Sequence, residues 1–83
     1  MSVAIIMPQI GQDVKTGIVA SWEKEENEKV AKGEVICCVE GDKGIFEVEA
    51  EASGVLLKIL AQPGEEVEVL KPIGYIGNPG ETF

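Results

Sequence analysis

Hydrophobic residues along this chain come in short bursts, not in helical stripes. Val- and Ile-rich runs occupy residues 3–7, 17–22, 35–39, 45–50, 54–60 and 73–76, separated by Gly, Pro, Asn and clusters of Glu. No window keeps helical spacing over ten residues. Alternation over a few positions recurs instead. β-Branched runs cut by turn formers predict an all-β chain.

A second regularity lies over the first. Shifted by 37 positions, the chain aligns with itself without a gap over more than twenty residues. Thr16-Gly17-Ile18-Val19 falls on Ser53-Gly54-Val55-Leu56, Trp22 on Ile59, Val30 on Val67 and Ile36 on Ile73. Asn27 falls on Gly64, and both residue types tolerate a left-handed backbone. One copy is too small to bury a face alone. Two copies predict a flattened sandwich of two small antiparallel sheets about a pseudo-two-fold axis.

Simple alternation then assigns the inner faces. Ile18, Ala20 and Trp22 are expected inside with Ile36 and Cys38, and Val55, Leu57, Ile59, Ile73 and Tyr75 in the second copy. Phe46 and Val48 point inward across the central hairpin, with Glu47, Glu49 and Lys58 outward. Cys38 reads as a small core residue, Trp22 as core, and Glu23 to Glu28 as a solvated loop.

Composition narrows the function classes. The 83 residues make one small domain with a thin core. Net charge is −8, and every basic residue is a lysine. That balance argues against nucleic acid or an anionic membrane as partner. There is no His, which removes His-based acid–base chemistry, His-activated nucleophiles and His-ligated zinc. The adjacent cysteines, Cys37 and Cys38, sit too close along the chain for an ordinary disulfide. The opening MSVAIIMPQIGQ has no basic leader, and Pro8 breaks its apolar run. A cytoplasmic setting is expected, or the mitochondrial matrix for a eukaryotic source.

One turn carries the candidate chemistry. In VEGDKGIFEV, residues 39–48, two strands flank Gly41-Asp42-Lys43-Gly44. This wording suits a type I turn, with Asp42 and Lys43 central and Gly44 taking a positive φ. Lys43 stands at the apex. On hairpin geometry alone it is an ordinary solvent-facing turn residue. The repeat adds that Lys43 lies on the seam between the copies, with Gly80 as its equivalent, so its apex faces away from the chain's C-terminal exit.

At these residues the sequence resembles the lipoyl domains of 2-oxo acid dehydrogenase complexes. The resemblance covers nearly the whole chain: MPQIG (7–11), TGIVASW (16–22), NEKVAKGEVICCVEGDK (27–43) and FEVEAEASGVLLKILAQPGEEV (46–67) stand in the family order. It implies a carrier domain over residues 1–78, with 79–83 the start of a linker, in a parent expected to be a dihydrolipoyl acyltransferase, with dihydrolipoyl dehydrogenase as the alternative parent. It implies lipoic acid joined by an amide to Lys43 by a lipoate ligase or lipoyl transferase. The arm would take an acyl group from a thiamine-dependent 2-oxo acid dehydrogenase. It would pass that group to coenzyme A at an acyltransferase core, and a dihydrolipoyl dehydrogenase would reoxidise it. Glu40, Gly41, Asp42, Gly44 and Glu47, with Glu49, would shape or mark the turn for these partners. The wording Val-Glu-Gly-Asp-Lys leans toward pyruvate complexes. Gly44 departs from the family's usual Ala or Val, and Asn27 from its usual Gly.

Two other readings stay open. A biotin carrier shares the fold but usually sets its lysine between methionines, whereas Asp42 and Gly44 flank Lys43. An unmodified lipoyl-like interaction module would leave Lys43 bare. The lipoylated carrier of glycine cleavage has extra helices that this chain lacks.

Overall fold

A computed structural model describes residues 2–82. It contains eight strands and, among the described residues, no helix. They are β1 (Val3–Ile6), β2 (Thr16–Trp22), β3 (Lys29–Val30), β4 (Val35–Gly41), β5 (Gly44–Glu49), β6 (Gly54–Ile59), β7 (Glu66–Glu68) and β8 (Pro72–Gly77). Two four-stranded antiparallel sheets result, in the orders β1-β8-β6-β3 and β5-β4-β2-β7. The expected all-β sandwich is what the chain forms. The short strands β3 and β7 are extra to the six apolar runs, because each is a polar edge with one apolar residue at most.

The internal repeat is written into the backbone hydrogen bonds. The N–H of Asn27 donates to the Leu56 carbonyl at 2.6 Å, and 37 positions on, Gly64 donates to Val19 at 2.7 Å. Leu56 donates to Glu28, and its counterpart Val19 donates to Glu65, both at 2.9 Å. Each copy therefore completes the other's sheet: β3 from the first half pairs with β6, and β7 from the second pairs with β2. Neither half can satisfy its backbone alone, which makes folding cooperative across the pair.

The register corrects the inner-face assignment. Ala20 is skipped between the pairs Val19↔Val39 and Ser21↔Cys38, and its repeat mate Leu57 is skipped between Leu56↔Ile76 and Lys58↔Tyr75. Such bulges shift the side-chain parity by one. Val19 and Leu56 are therefore fully buried, and Ile18 faces outward. Beyond the bulge the phase returns, so Trp22 and Ile59 pack on the core as expected. Ile36 and its mate Ile73 are skipped in the same way on β4 and β8. Cys37 rather than Cys38 is the core thiol, and Ile76 rather than Tyr75 is inside. Val55 is buried as expected but lies outside the main core cluster. Val48 is inward, Phe46 packs on the core, and Glu47, Glu49 and Lys58 are exposed as expected.

Trp22 also ties the two halves together: its indole N–H donates to the carbonyl of Ala61 at 2.8 Å. Along β1 the chain runs from Val3, paired with Ile76, toward Ile10, which packs on Gly41 at the lysine hairpin. The end where Ser2 meets Gly77 is thus opposite the hairpin apex, in a body 36 Å long and 19 Å across.

Candidate functional site

The β4–β5 hairpin is tight because its last pair is Gly41↔Gly44. Only Asp42 and Lys43 remain as its loop, and both are exposed. Neither has a positive φ, which excludes the primed turns and type II; Gly44 follows at φ 137°. This agrees with the expected type I turn closed by glycine. The Lys43 side chain is exposed, and among the described residues no ion pair ties it down. Among the described residues the ion pairs join Lys24 to Glu34 and Lys58 to Glu26.

What holds the hairpin base is a segment whose mechanical role the sequence reading did not see. Ile10 presses its Cδ1 on Gly41, where a built Cβ would come within 2.6 Å, and on Gly17, within 3.3 Å. Met7, fully buried, lies against Gly17 as well. Gln9 Nε2 donates to the Val14 carbonyl at 2.9 Å and to that of Gly11, keeping the segment folded over the hairpin. The MPQIG stretch thus acts as a brace, and the glycines at 17 and 41 make room for it. The pairing of Met7 and Ile10 with two distant glycines has no local signature, since it depends on contacts 10 and 31 positions apart.

The structure brings Glu40, Gly41, Asp42, Lys43 and Gly44 to one end of the molecule. Glu47 lies farther back, paired with Cys38 on the outer face of the sheet. A shallow cavity of about 210 Å³ sits beside the hairpin, lined by Val14, Ile18, Glu40, Asp42 and Glu66 among others. Glu66 accepts a hydrogen bond from the Thr16 hydroxyl at 2.6 Å. Among the described residues, no group of His, Cys, Asp and Glu is arranged to hold a metal ion. The chemistry on offer is a presented primary amine.

The protein-family model described as "Biotin-requiring enzyme" (biotin/lipoyl attachment) matches residues 3–76. The solution structure of the lipoyl domain of the 2-oxoglutarate dehydrogenase complex from Azotobacter vinelandii superposes with a TM-score of 0.71 at 33% identity, covering 93% of this chain and 100% of that one. The chain belongs to the biotin/lipoyl family and is a lipoyl domain. The dihydrolipoyllysine-residue acetyltransferase component of the acetoin cleaving system of Bacillus subtilis is 38% identical over 82 residues, 99% of this chain and 21% of that protein. The pyruvate dehydrogenase E1 component subunit beta of Rhizobium meliloti is 39% identical over 83 residues, 99% of this chain and 18% of that protein. The lipoyl domain thus spans about a fifth of the curated relatives it matches. They include an acetyltransferase component and a pyruvate dehydrogenase E1 component subunit, so domains similar to this one occur in different parents.

Proposed function

We propose that Lys43 is the attachment point for lipoic acid, and that the domain is the swinging-arm carrier of a 2-oxo acid dehydrogenase complex. The observation that carries this reading is an exposed amine, with no ion pair among the described residues, at the apex of a two-residue turn opposite the Ser2–Gly77 end. A substrate arm needs that placement: the amine reaches other proteins while the chain's exit stays clear.

Attachment asks little of the domain beyond presentation. Lys43 Nζ loses its proton to solvent and attacks the carboxyl carbon of an adenylated lipoate. A C–N bond forms, the bond to the phosphate oxygen breaks, and AMP leaves. A lipoate ligase or a lipoyl transferase performs this step. The attached group supplies an S–S bond that takes up two electrons and carries an acyl group as a thioester. The residues of this chain supply reach, high local concentration and recognition. The acyl donor is a thiamine-dependent 2-oxo acid dehydrogenase, the acceptor an acyltransferase core using coenzyme A, and the reoxidant a dihydrolipoyl dehydrogenase. Asp42, Gly44 and Glu40 set the turn that the attaching enzyme recognises. Residues 1–78 form the carrier unit and 79–83 lead into a linker. Two free thiols, Cys37 and Cys38, fit a reducing compartment such as the cytoplasm or the mitochondrial matrix.

The test is intact mass after incubation with lipoate, ATP and a lipoate ligase, in parallel with biotin and a biotin ligase. A lipoyl increment lost in Lys43→Ala is expected. A biotin increment alone would move the domain to the carboxylases, and no increment with either would leave an unmodified interaction module.

A further inference from the structure

The internal symmetry leaves a groove whose two halves differ in composition. β1 and β5 are edge strands, paired on one side only, with β8 and with β4. A cavity of about 760 Å³ lies between them. Its two ends are built alike. The Leu70 N–H donates to the Met7 carbonyl at 2.8 Å, and its repeat mate Gly33 donates to Ala50 at 2.8 Å. Met7 donates to Lys71 at 2.9 Å, and Ala50 to Glu34 at 2.8 Å. Leu70 and Gly33 both line the groove.

The walls break that symmetry. On the β1 side Val3, Ile6 and Leu70 are exposed. The β5 side is lined by Glu47, Glu49 and Glu51, with Lys32 beside them. β1 itself, Val-Ala-Ile-Ile, has no charged residue. The other three sheet edges carry Lys29 on β3, Glu47 and Glu49 on β5, and Glu66 and Glu68 on β7. Charged side chains commonly guard an edge strand against pairing with another chain. β1 lacks that guard. The bulge between Ile5 and Ile6 ends its regular stretch, so pairing is offered by Val3 to Ile5.

Leu70 is the second observation. Its mate Gly33 takes φ 89° without strain, whereas Leu70 takes φ 71° against the preference of a branched side chain. A strained leucine left in solvent adds little to the stability of the domain. It does present an apolar surface next to an unguarded edge.

We propose that this groove is the docking site for an extended segment of a partner protein, in which apolar and basic residues alternate, added to β1 as a fifth strand. The free backbone groups of β1 supply the pairing, and Val3, Ile6 and Leu70 the apolar contact. The glutamates of the facing wall supply the preference for Lys or Arg. A second copy of this chain fits less well, because it would bring another acidic wall and a net charge of −8 to the same place. None of residues 40–44 lines the groove, so its occupant leaves Lys43 clear. The inference does not depend on what Lys43 carries.

The probe is the synthetic peptide Lys-Val-Lys-Val-Lys-Val-Lys, titrated into the domain isotope-labelled at its backbone nitrogens. Glu-Val-Glu-Val-Glu-Val-Glu is the control. The amide signals of Val3, Ala4, Ile5 and Leu70 should shift saturably with the basic peptide, and the acidic one should bind at least about tenfold more weakly. Two analogues of the basic peptide, N-methylated on alternate residues in opposite phase, should differ in affinity, because only one edge of the added strand faces β1. Leu70→Gly should bind about threefold to tenfold more weakly while unfolding at a higher urea concentration, a combination that a purely structural leucine would not give. Ile6→Lys, which guards the edge, should abolish the shifts.

No shift on β1 with the basic peptide overturns the proposal. So does equal affinity for the two peptides, equal affinity for the two methylated analogues, or unchanged binding by Leu70→Gly. Shifts at residues 40–44 in place of β1 would move the contact to the hairpin and overturn it. Signals of β1 that move with domain concentration alone would make a second copy the occupant and overturn it as well.

Discussion

Asn27 and Leu56 are joined by a 2.6 Å backbone hydrogen bond, from the N–H of Asn27 to the carbonyl of Leu56, that locks the first copy of the repeat onto the second. To make it, Asn27 adopts φ 75°, where its mate Gly64 sits at 94°. Asn tolerates this conformation better than most residues, and Gly better still. Asn27→Gly should leave stability unchanged or raise it slightly, and Asn27→Ala should lower it by about 1 kcal/mol. Urea unfolding of the three proteins checks this.

The same comparison singles out Leu70. It is 63% exposed at φ 71°, while its mate Gly33 has φ 89°. A leucine there carries backbone strain and buries little. Leu70→Gly should stabilise the domain by about 0.5–1 kcal/mol, the reverse of the usual sign for a Leu→Gly change. A lower urea midpoint would contradict this.

The lysine hairpin depends on two glycines for different reasons. A Cβ at Gly44 meets nothing within 4 Å, so only its φ of 137° opposes a side chain. Gly44→Ala should cost about 1–2 kcal/mol unless the turn changes type. At Gly41 the obstacle is Ile10, 2.6 Å from a built Cβ. Gly41→Val should push the brace off the hairpin, while Gly41→Val/Ile10→Ala should recover part of the loss. Thermal unfolding, together with the rate of lipoate attachment, distinguishes a loosened turn from a merely less stable domain.

The adjacent thiols should behave as opposites. Cys37 is fully buried, and burial, with smaller contributions from the neighbouring Cys38 and Glu23, pushes its pKa up to about 12. Cys38 is half-buried on the outer face. Alkylation of the native domain at pH 8 should label Cys38 first, and Cys37 only on unfolding. An unfolded cysteine ionises near pH 8.5, well below the folded value. The unfolded state therefore loses its proton first as pH rises, and Cys37 draws stability down from about pH 8.5 toward 12. Cys37→Val should flatten that decline in urea midpoints measured across the range.

Trp22 is core and connector at once. Trp22→Phe removes the donor to the Ala61 carbonyl and leaves a gap beside it. A loss of about 1–3 kcal/mol is expected, read by chemical denaturation, with retained lipoate attachment because the hairpin is remote.

The all-β class, the 37-residue repeat and the lysine turn were all legible in the chain, because each is a local statement. Alternation, glycine placement and a two-residue loop concern neighbours in sequence, and matching one copy to the other needs no coordinates. The paired use of Asn27 and Gly64 was legible for the same reason. Which residues face inward was not. Four skipped positions, Ala20, Ile36, Leu57 and Ile73, shift the side-chain phase, and they are ordinary hydrophobic or small residues without a turn signature. A bulge is chosen by how two strands bend to close over one core, so its position is a property of the packed pair. Strict alternation accordingly put Ile18 and Cys38 inside, where Val19 and Cys37 belong. The brace of Met7 and Ile10 on Gly17 and Gly41, and the groove between β1 and β5, exist only once strands distant in sequence are set side by side.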